Sequence, residues 1–218
     1  MKQFPSEKYN IAWFKLAEFV GRGEKERALG IYRLLAHSLD DNALTAQLQG
    51  DLLLSFEDSE AISWYERAAQ LYKESGRLIE SAAVYEHLCV LKCDEANYYI
   101  ELIEIYKQKC LLDSAYAIMH NLFELWRCTE CFEKCVDLLA DMESLSISAD
   151  LAEYYQKLIF SWVQQPNFSK EIVLSLAQKA IDGFTLSNNE KLLQRFLSTL
   201  ETKNENFYKE VCFLIVNN

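Results

Sequence analysis

The chain has 218 residues, half of them hydrophobic and a quarter charged, with Lys+Arg 22 against Asp+Glu 33 and a formal net charge of −11. Gly 6 and Pro 2 supply about 4% of the residues, where average usage is roughly 12%, which excludes sandwiches, barrels, propellers and low-complexity chains and leaves an almost wholly helical protein. An acidic surface repels phosphate backbones, and neither half is basic (13 basic and 18 acidic residues before Cys110, 9 and 15 after it), so nucleic acid is not an expected ligand.

In chain order, periodicity and punctuation predict short helices joined by connections of two to five residues. Ser6 caps a helix reaching about Val20, which Gly21-Arg22-Gly23 ends, and a second spans Glu24 to Ser38. Asp40-Asp41 opens a third that ends near Phe56, Asp58-Ser59 caps a fourth, and Gly76 stops it. Helices over about Leu78–Leu91, Glu95–Lys109, Leu112–Trp126 and Glu130–Met142 follow, then a loop over Glu143–Ser148. Ser148 precedes a helix from Ala149 to Val163, and Pro166-Asn167 breaks the chain. Ser169 caps a helix that Gly183 closes, Ser187 with Glu190 forms a capping box for the next, and a last helix covers about Glu205 to Val216.

About twelve such helices form an irregular bundle or a stack of hairpins, and internal repetition decides for the stack. Tyr72, Gly76, Ser81, Tyr85 and Leu88 recur as Tyr106, Cys110, Ala115, Met119 and Leu122, and the same order of types stands earlier as Phe19, Gly23, Ala28, Tyr32 and Leu35. An aromatic residue packs one helix on the next, a small residue permits the turn, and another lets the two axes approach.

On these residues, over about positions 9 to 125, the sequence resembles the tetratricopeptide repeat family. The best stretches are Phe19 to Tyr32 and Gly50 to Leu54 followed by Ala61, Tyr65 and Ala68. It departs from the family at Asp40 and Cys93, which stand in the places of the helix-ending proline, and the step from Gly50 to Ala61 is one residue short. The segment Ser59–Ser75 reads both as the second helix of one hairpin and as the first of the next. The resemblance implies an all-α solenoid of antiparallel hairpins, a tetratricopeptide-like superhelix. Residues 1–142 form the repeat region, and 143–218 a less regular helical region that continues or caps it.

The resemblance also implies a concave groove for a peptide or helix, and therefore a non-catalytic scaffold, adaptor or specialised chaperone. Carried over position by position, it turns Ser63, Arg67 and Gln70, then Asn97, Glu101 and Glu104, toward that groove. This set lacks the Lys/Asn clamp with which some members hold a terminal carboxylate. The charge favours a basic or amphipathic partner. Trp13 and Phe14 are adjacent, so they leave their helix in different directions and one of them is a candidate contact. A helical superhelix like that of the vesicle-fusion attachment proteins is an alternative, and self-association follows if a terminal hairpin lacks a polar outer face.

Cys128, Cys131 and Cys135 are spaced three and four apart, which on one helix sets three thiols on one face, and with His120 they would complete a tetrahedral zinc site. The same spacing is that of a core-facing stripe, and Cys packs as a small apolar residue, so packing is the preferred reading and a metal or redox protein the alternative. There is no nucleophile elbow, phosphate-binding loop, dinucleotide fingerprint or paired-His helix, so no catalytic residue and no cofactor is expected. Seven cysteines within helical patterns, no export-type leader and no long apolar run predict a cytoplasmic protein without membrane partners.

Overall fold

The computed structural model describes residues 6–145, 151–187 and 189–217. Among them are twelve helices and no strand: α1 Ser6–Gly21, α2 Lys25–Ala36, α3 Asn42–Leu54, α4 Glu60–Glu74, α5 Leu78–Leu91, α6 Ala96–Gln108, α7 Leu112–Cys128, α8 Phe132–Ser144, α9 Leu151–Trp162, α10 Lys170–Leu186, α11 Glu190–Lys203 and α12 Glu205–Asn217. The fold is all-α and solenoid-like, built by packing between neighbouring helices. Two compact units divide it, Met1–Ala115 and Tyr116–Asn218. In the first, successive helices from α1 to α6 pack pairwise; in the second, α8 packs on α9, α9 on α10, α10 on α11 and α11 on α12.

Five helix ends share one turn. At Gly23, Glu57, Gly76, Cys110 and Glu130 the backbone enters the left-handed region, with φ between 56° and 74°. The amide of Gly76 donates to the Lys73 carbonyl at 3.0 Å and that of Arg77 to the Tyr72 carbonyl at 2.9 Å; Cys110 and Leu111 bond Lys107 and Tyr106 in the same way, and Glu130 and Cys131 bond Arg127 and Trp126. This pair of bonds satisfies the last carbonyls of a helix while reversing the chain. An apolar residue, Phe19, Leu53, Tyr72, Tyr106 or Trp126, accepts the longer bond each time. Five residues beyond the left-handed residue stand Ala28, Ser81, Ala115 and Cys135, each with no exposed surface, and after Glu57 the small residue is Ala61, one place earlier. The close approach shows in bonds: the Ser81 hydroxyl donates to the Ala69 carbonyl at 2.9 Å, and the Cys135 thiol meets the Phe123 carbonyl at 3.8 Å in the same relative place.

The double reading of Ser59–Ser75 has a physical basis, because α4 follows one such turn and precedes another, packing on both α3 and α5. α7 likewise stands between two such turns, at Cys110 and Glu130. Bonds between successive hairpins keep a near-constant step: Lys25 to Asp58, Glu66 to Tyr98 and Asp41 to Arg77 in the first unit, and His120 to Tyr154, Arg127 to Ser161 and Glu143 to Lys179 in the second, are 32 to 36 residues apart. Regularity thus continues past Met142, where the sequence pattern fades.

Several local expectations change. Glu130 does not open a helix; it is the left-handed residue of the turn, with α8 starting at Phe132. Gly183 does not close α10, which runs on to Leu186; a Cβ there would lie 2.8 Å from the Ala152 Cβ, so this glycine lets α10 and α9 touch. Ser187 ends α10, and Asn189 caps α11 by accepting the Leu192 amide at 3.3 Å. Asp41 caps α3 through the amides of Ala43 and Leu44. Asp58, not Ser59, accepts the first-turn amide of Glu60. Ser148 and Ala149 lie outside the described residues.

Glycine has no Cβ penalty at positive φ, whereas another L-residue there costs about 1–2 kcal/mol. Glu130→Gly is therefore expected to raise unfolding stability by about 0.5–1 kcal/mol, and Gly183→Ala to lower it by about 1–3 kcal/mol through overpacking, both read as shifts in urea midpoint. A destabilised Glu130→Gly or a neutral Gly183→Ala contradicts this account of the two positions.

Candidate functional site

The outer faces of α4 and α6 carry most of the residues expected to line a groove. Both helices bury one stripe, Ala61, Tyr65, Ala68, Ala69 and Tyr72 on α4 and Tyr98, Tyr99, Leu102, Ile103 and Tyr106 on α6, and so turn polar residues outward. Side chains tie the two faces together. Tyr98 donates its hydroxyl to Glu66 at 2.5 Å, and Lys73 donates to Glu101 at 2.5 Å with Glu104 3.7 Å away. The Glu101 bond, against the opposing effect of burial, raises the Lys73 pKa, while burial and then the Glu66 carboxylate push the Tyr98 phenol upward.

Of the predicted residues, Ser63, Arg67, Gln70 and Asn97 are exposed. The Ser63 hydroxyl bonds the Glu60 carbonyl, the Arg67 guanidinium lies 5.3 Å from the centre of the Trp64 ring, and Gln70 reaches Glu74 at 3.1 Å. Asn97 stands in the first turn of α6, its amide directed at the capping Glu95 carboxylate. Glu101 and Glu104 are engaged by Lys73, so their charge is partly spent inside the protein. With Glu66 and Glu74, the face has four carboxylates against Arg67 and Lys73.

The two N-terminal aromatics part as expected. Trp13, 39% exposed, borders an open apolar cleft of about 270 Å³ with Leu16, Tyr32, Leu48 and Leu52, whereas Phe14 is 76% exposed.

The cysteine trio does not share a helix face. Cys128 ends α7, the Thr129–Glu130 turn intervenes, Cys131 precedes α8 and only Cys135 lies within it. Cys135 is the buried small residue of the hairpin, and burial pushes its thiol up to about 12. His120 bonds the Tyr154 hydroxyl at 2.9 Å through Nδ1. Among the described residues, no group of three or more His, Cys, Asp or Glu is arranged to hold a metal ion, and no helix is long and apolar enough to cross a membrane.

One feature has no counterpart in the sequence reading. In the second unit Glu124 and Arg127 of α7, Lys157 and Phe160 of α9, and Lys203 of α11 line an open cleft of about 540 Å³. Lys157 follows Glu124 by 33 residues and Ser161 follows Arg127 by 34, the repeat step that would have pointed to it.

No family model matches this chain, and no curated protein matches it. Among solved structures, the crystal structure of BtubC (BKLC) from P. vanneervenii is similar over 93% of this chain and 79% of its own, at 13% identity and a TM-score of 0.36. At that level neither fold nor function carries over.

Two measurements check this geometry. An exposed thiol reagent is expected to modify Cys128 in the folded protein and leave Cys135 unmodified until denaturant is added; prompt reaction of Cys135 contradicts its burial. Carboxylates held below their ordinary range are Asp41, by the Leu44 amide and Arg77; Asp58, by Lys25; Glu80, by Arg77; Glu205, by Lys209; and Glu124 and Glu143, where burial opposes ionisation but Arg127 and Lys157, and Lys179 with Tyr155, outweigh it. A depressed folded pKa gives stability that is complete above the unfolded value, near 4, and lost as pH falls through the folded one. Tm is expected to fall steadily from about pH 4.5 to pH 3, and a flat profile there contradicts the pairing.

Proposed function

We propose that this protein is a non-catalytic, tetratricopeptide-type adaptor of the cytoplasm whose α4–α6 face receives a basic or amphipathic peptide or helix. The observation that carries the reading is the pairing of those two faces by Glu66–Tyr98 and Lys73–Glu101, which sets exposed Arg67, Gln70 and Asn97 beside a surplus of carboxylates. The ties fix the face before a partner arrives, so little side-chain order is lost on binding, and the surplus charge steers a basic segment toward it. The near-34-residue step of the inter-hairpin bonds supports the repeat type. Seven free thiols fit a reducing compartment.

A vesicle-fusion-like adaptor is the second reading, favoured by exposed Ile11 and Phe14 on α1; flotation with liposomes separates the two.

Affinity capture from source lysate with wild type and with an Arg67→Ala, Gln70→Ala, Asn97→Ala variant checks the first reading. A protein partner recovered at least fivefold less on the variant is expected. A partner held equally by both defeats the assignment of this face.

A further inference from the structure

The cleft on α7, α9 and α11 stands out by its charge balance. Arg127 spends two nitrogens on Glu124, at 2.9 and 2.6 Å, and a third on the Ser161 hydroxyl at 3.0 Å. Lys157 bonds the other oxygen of the same carboxylate at 3.2 Å. Lys203 has no carboxylate partner among the described residues and lies 5.8 Å from the centre of the Phe160 ring. The cleft is therefore lined by three cations and one carboxylate, which Arg127 and Lys157 share. Elsewhere in this unit Lys170, Lys179 and Lys209 each pair with one carboxylate, Glu210, Glu143 and Glu205, while Lys134, among the described residues, lies alone over the Trp126 ring at 5.6 Å, away from this cleft. In a chain of net charge −11, a cleft with two uncompensated positive charges is a local reversal of sign.

We infer that this cleft is a second binding site, one that takes an acidic peptide segment through its side-chain carboxylates. From Lys157 to Ser161 the α9 edge of the cleft runs about 6 Å, at 1.5 Å per residue, which matches roughly two residues of extended chain, and Gln164 lies in the turn past the end of α9. Carboxylates at the two ends of such a segment meet Lys203 and Lys157, and the Gln164 amide supplies a neutral donor. The exposed part of Phe160, its ring stacked on Phe196 at 5.6 Å, offers an apolar floor between them. Glu124 holds Arg127 and Lys157 in position while leaving charge to spare, so the site is pre-organised. The opening is wide, which suits a peptide backbone passing through it better than a small anion, whose own hydration the cleft does not replace. The site uses only residues of the second unit and does not depend on the α4–α6 reading.

Fluorescence anisotropy with a short labelled peptide rich in glutamate and phenylalanine, acetylated and amidated so that no chain terminus is charged, tests it against the same peptide with glutamine for glutamate. Expected are binding of the glutamate peptide at least tenfold tighter, weakening with added salt, a tenfold or greater loss on Lys203→Glu, and retention on Lys203→Arg and on the distant Lys209→Glu. Lys203 is exposed, so its substitution leaves the fold intact, and a helical circular dichroism spectrum with unchanged Tm verifies that. The Arg67→Ala, Gln70→Ala, Asn97→Ala variant is expected to bind the peptide as wild type does, which separates this site from the adaptor face. Equal affinity for the glutamine peptide, indifference to Lys203→Glu, or displacement by free glutamate or inorganic phosphate as efficient as by unlabelled peptide overturns the inference.

Discussion

Two helices in a hairpin can pack closely only where a small side chain separates their axes, and in this protein that constraint is met by one device used repeatedly. A helix ends in a left-handed residue, and five residues later Ala28, Ser81, Ala115 or Cys135 comes to rest with no exposed surface. A larger side chain at such a position would have to push a whole helix aside, because protein interiors hold few voids into which it could go. The apolar residue before each turn and the aromatic or aliphatic residues after the small one then fill the space that the approach leaves. Everything else, from the buried tyrosines of α4 and α6 to the outward polar faces of the same helices, follows from where this device places the axes.

The device was legible where its chemistry is. Gly23 and Gly76 mark turns openly, and the spacing from Tyr72 to Leu88 recurs with residues of matching size. It was illegible where other residues take the left-handed turn. Glu130 looks like a helix-starting acid, and its misreading also merged Cys128, Cys131 and Cys135 into one helix face; the three-and-four spacing argument holds only when no turn intervenes. Gly183 deceived for the opposite reason, since a glycine in a helix is a break or a contact according to what lies across from it, here Ala152. Register was retained beyond Met142 in hydrogen bonds between polar side chains, which hydrophobic periodicity does not record.

The candidate surfaces show the same division. Ser63, Arg67, Gln70 and Asn97, which the resemblance turned toward a groove, are exposed. That Lys73 would engage Glu101 and Glu104 was not legible, because the partners lie on different helices and only the packing of hairpins brings them together. Net charge was equally silent about the cleft of Arg127, Lys157 and Lys203. A chain acidic in both halves holds one face with surplus carboxylates and one cleft with surplus cations, a distribution suited to partners of opposite charge at two places. Exposed ion pairs contribute little to stability individually, so their value here lies in fixing side-chain positions.

Amide hydrogen exchange along the whole chain tests the repeated device most directly. Protection that rises at each hairpin, with maxima around Ala28, Ala69, Ser81, Ala115, Phe123 and Cys135 and minima at the turns of Gly23, Gly76, Cys110 and Glu130, is the result this account predicts. Protection confined to a single segment, with the remaining small residues exchanging as freely as the turns, would contradict it.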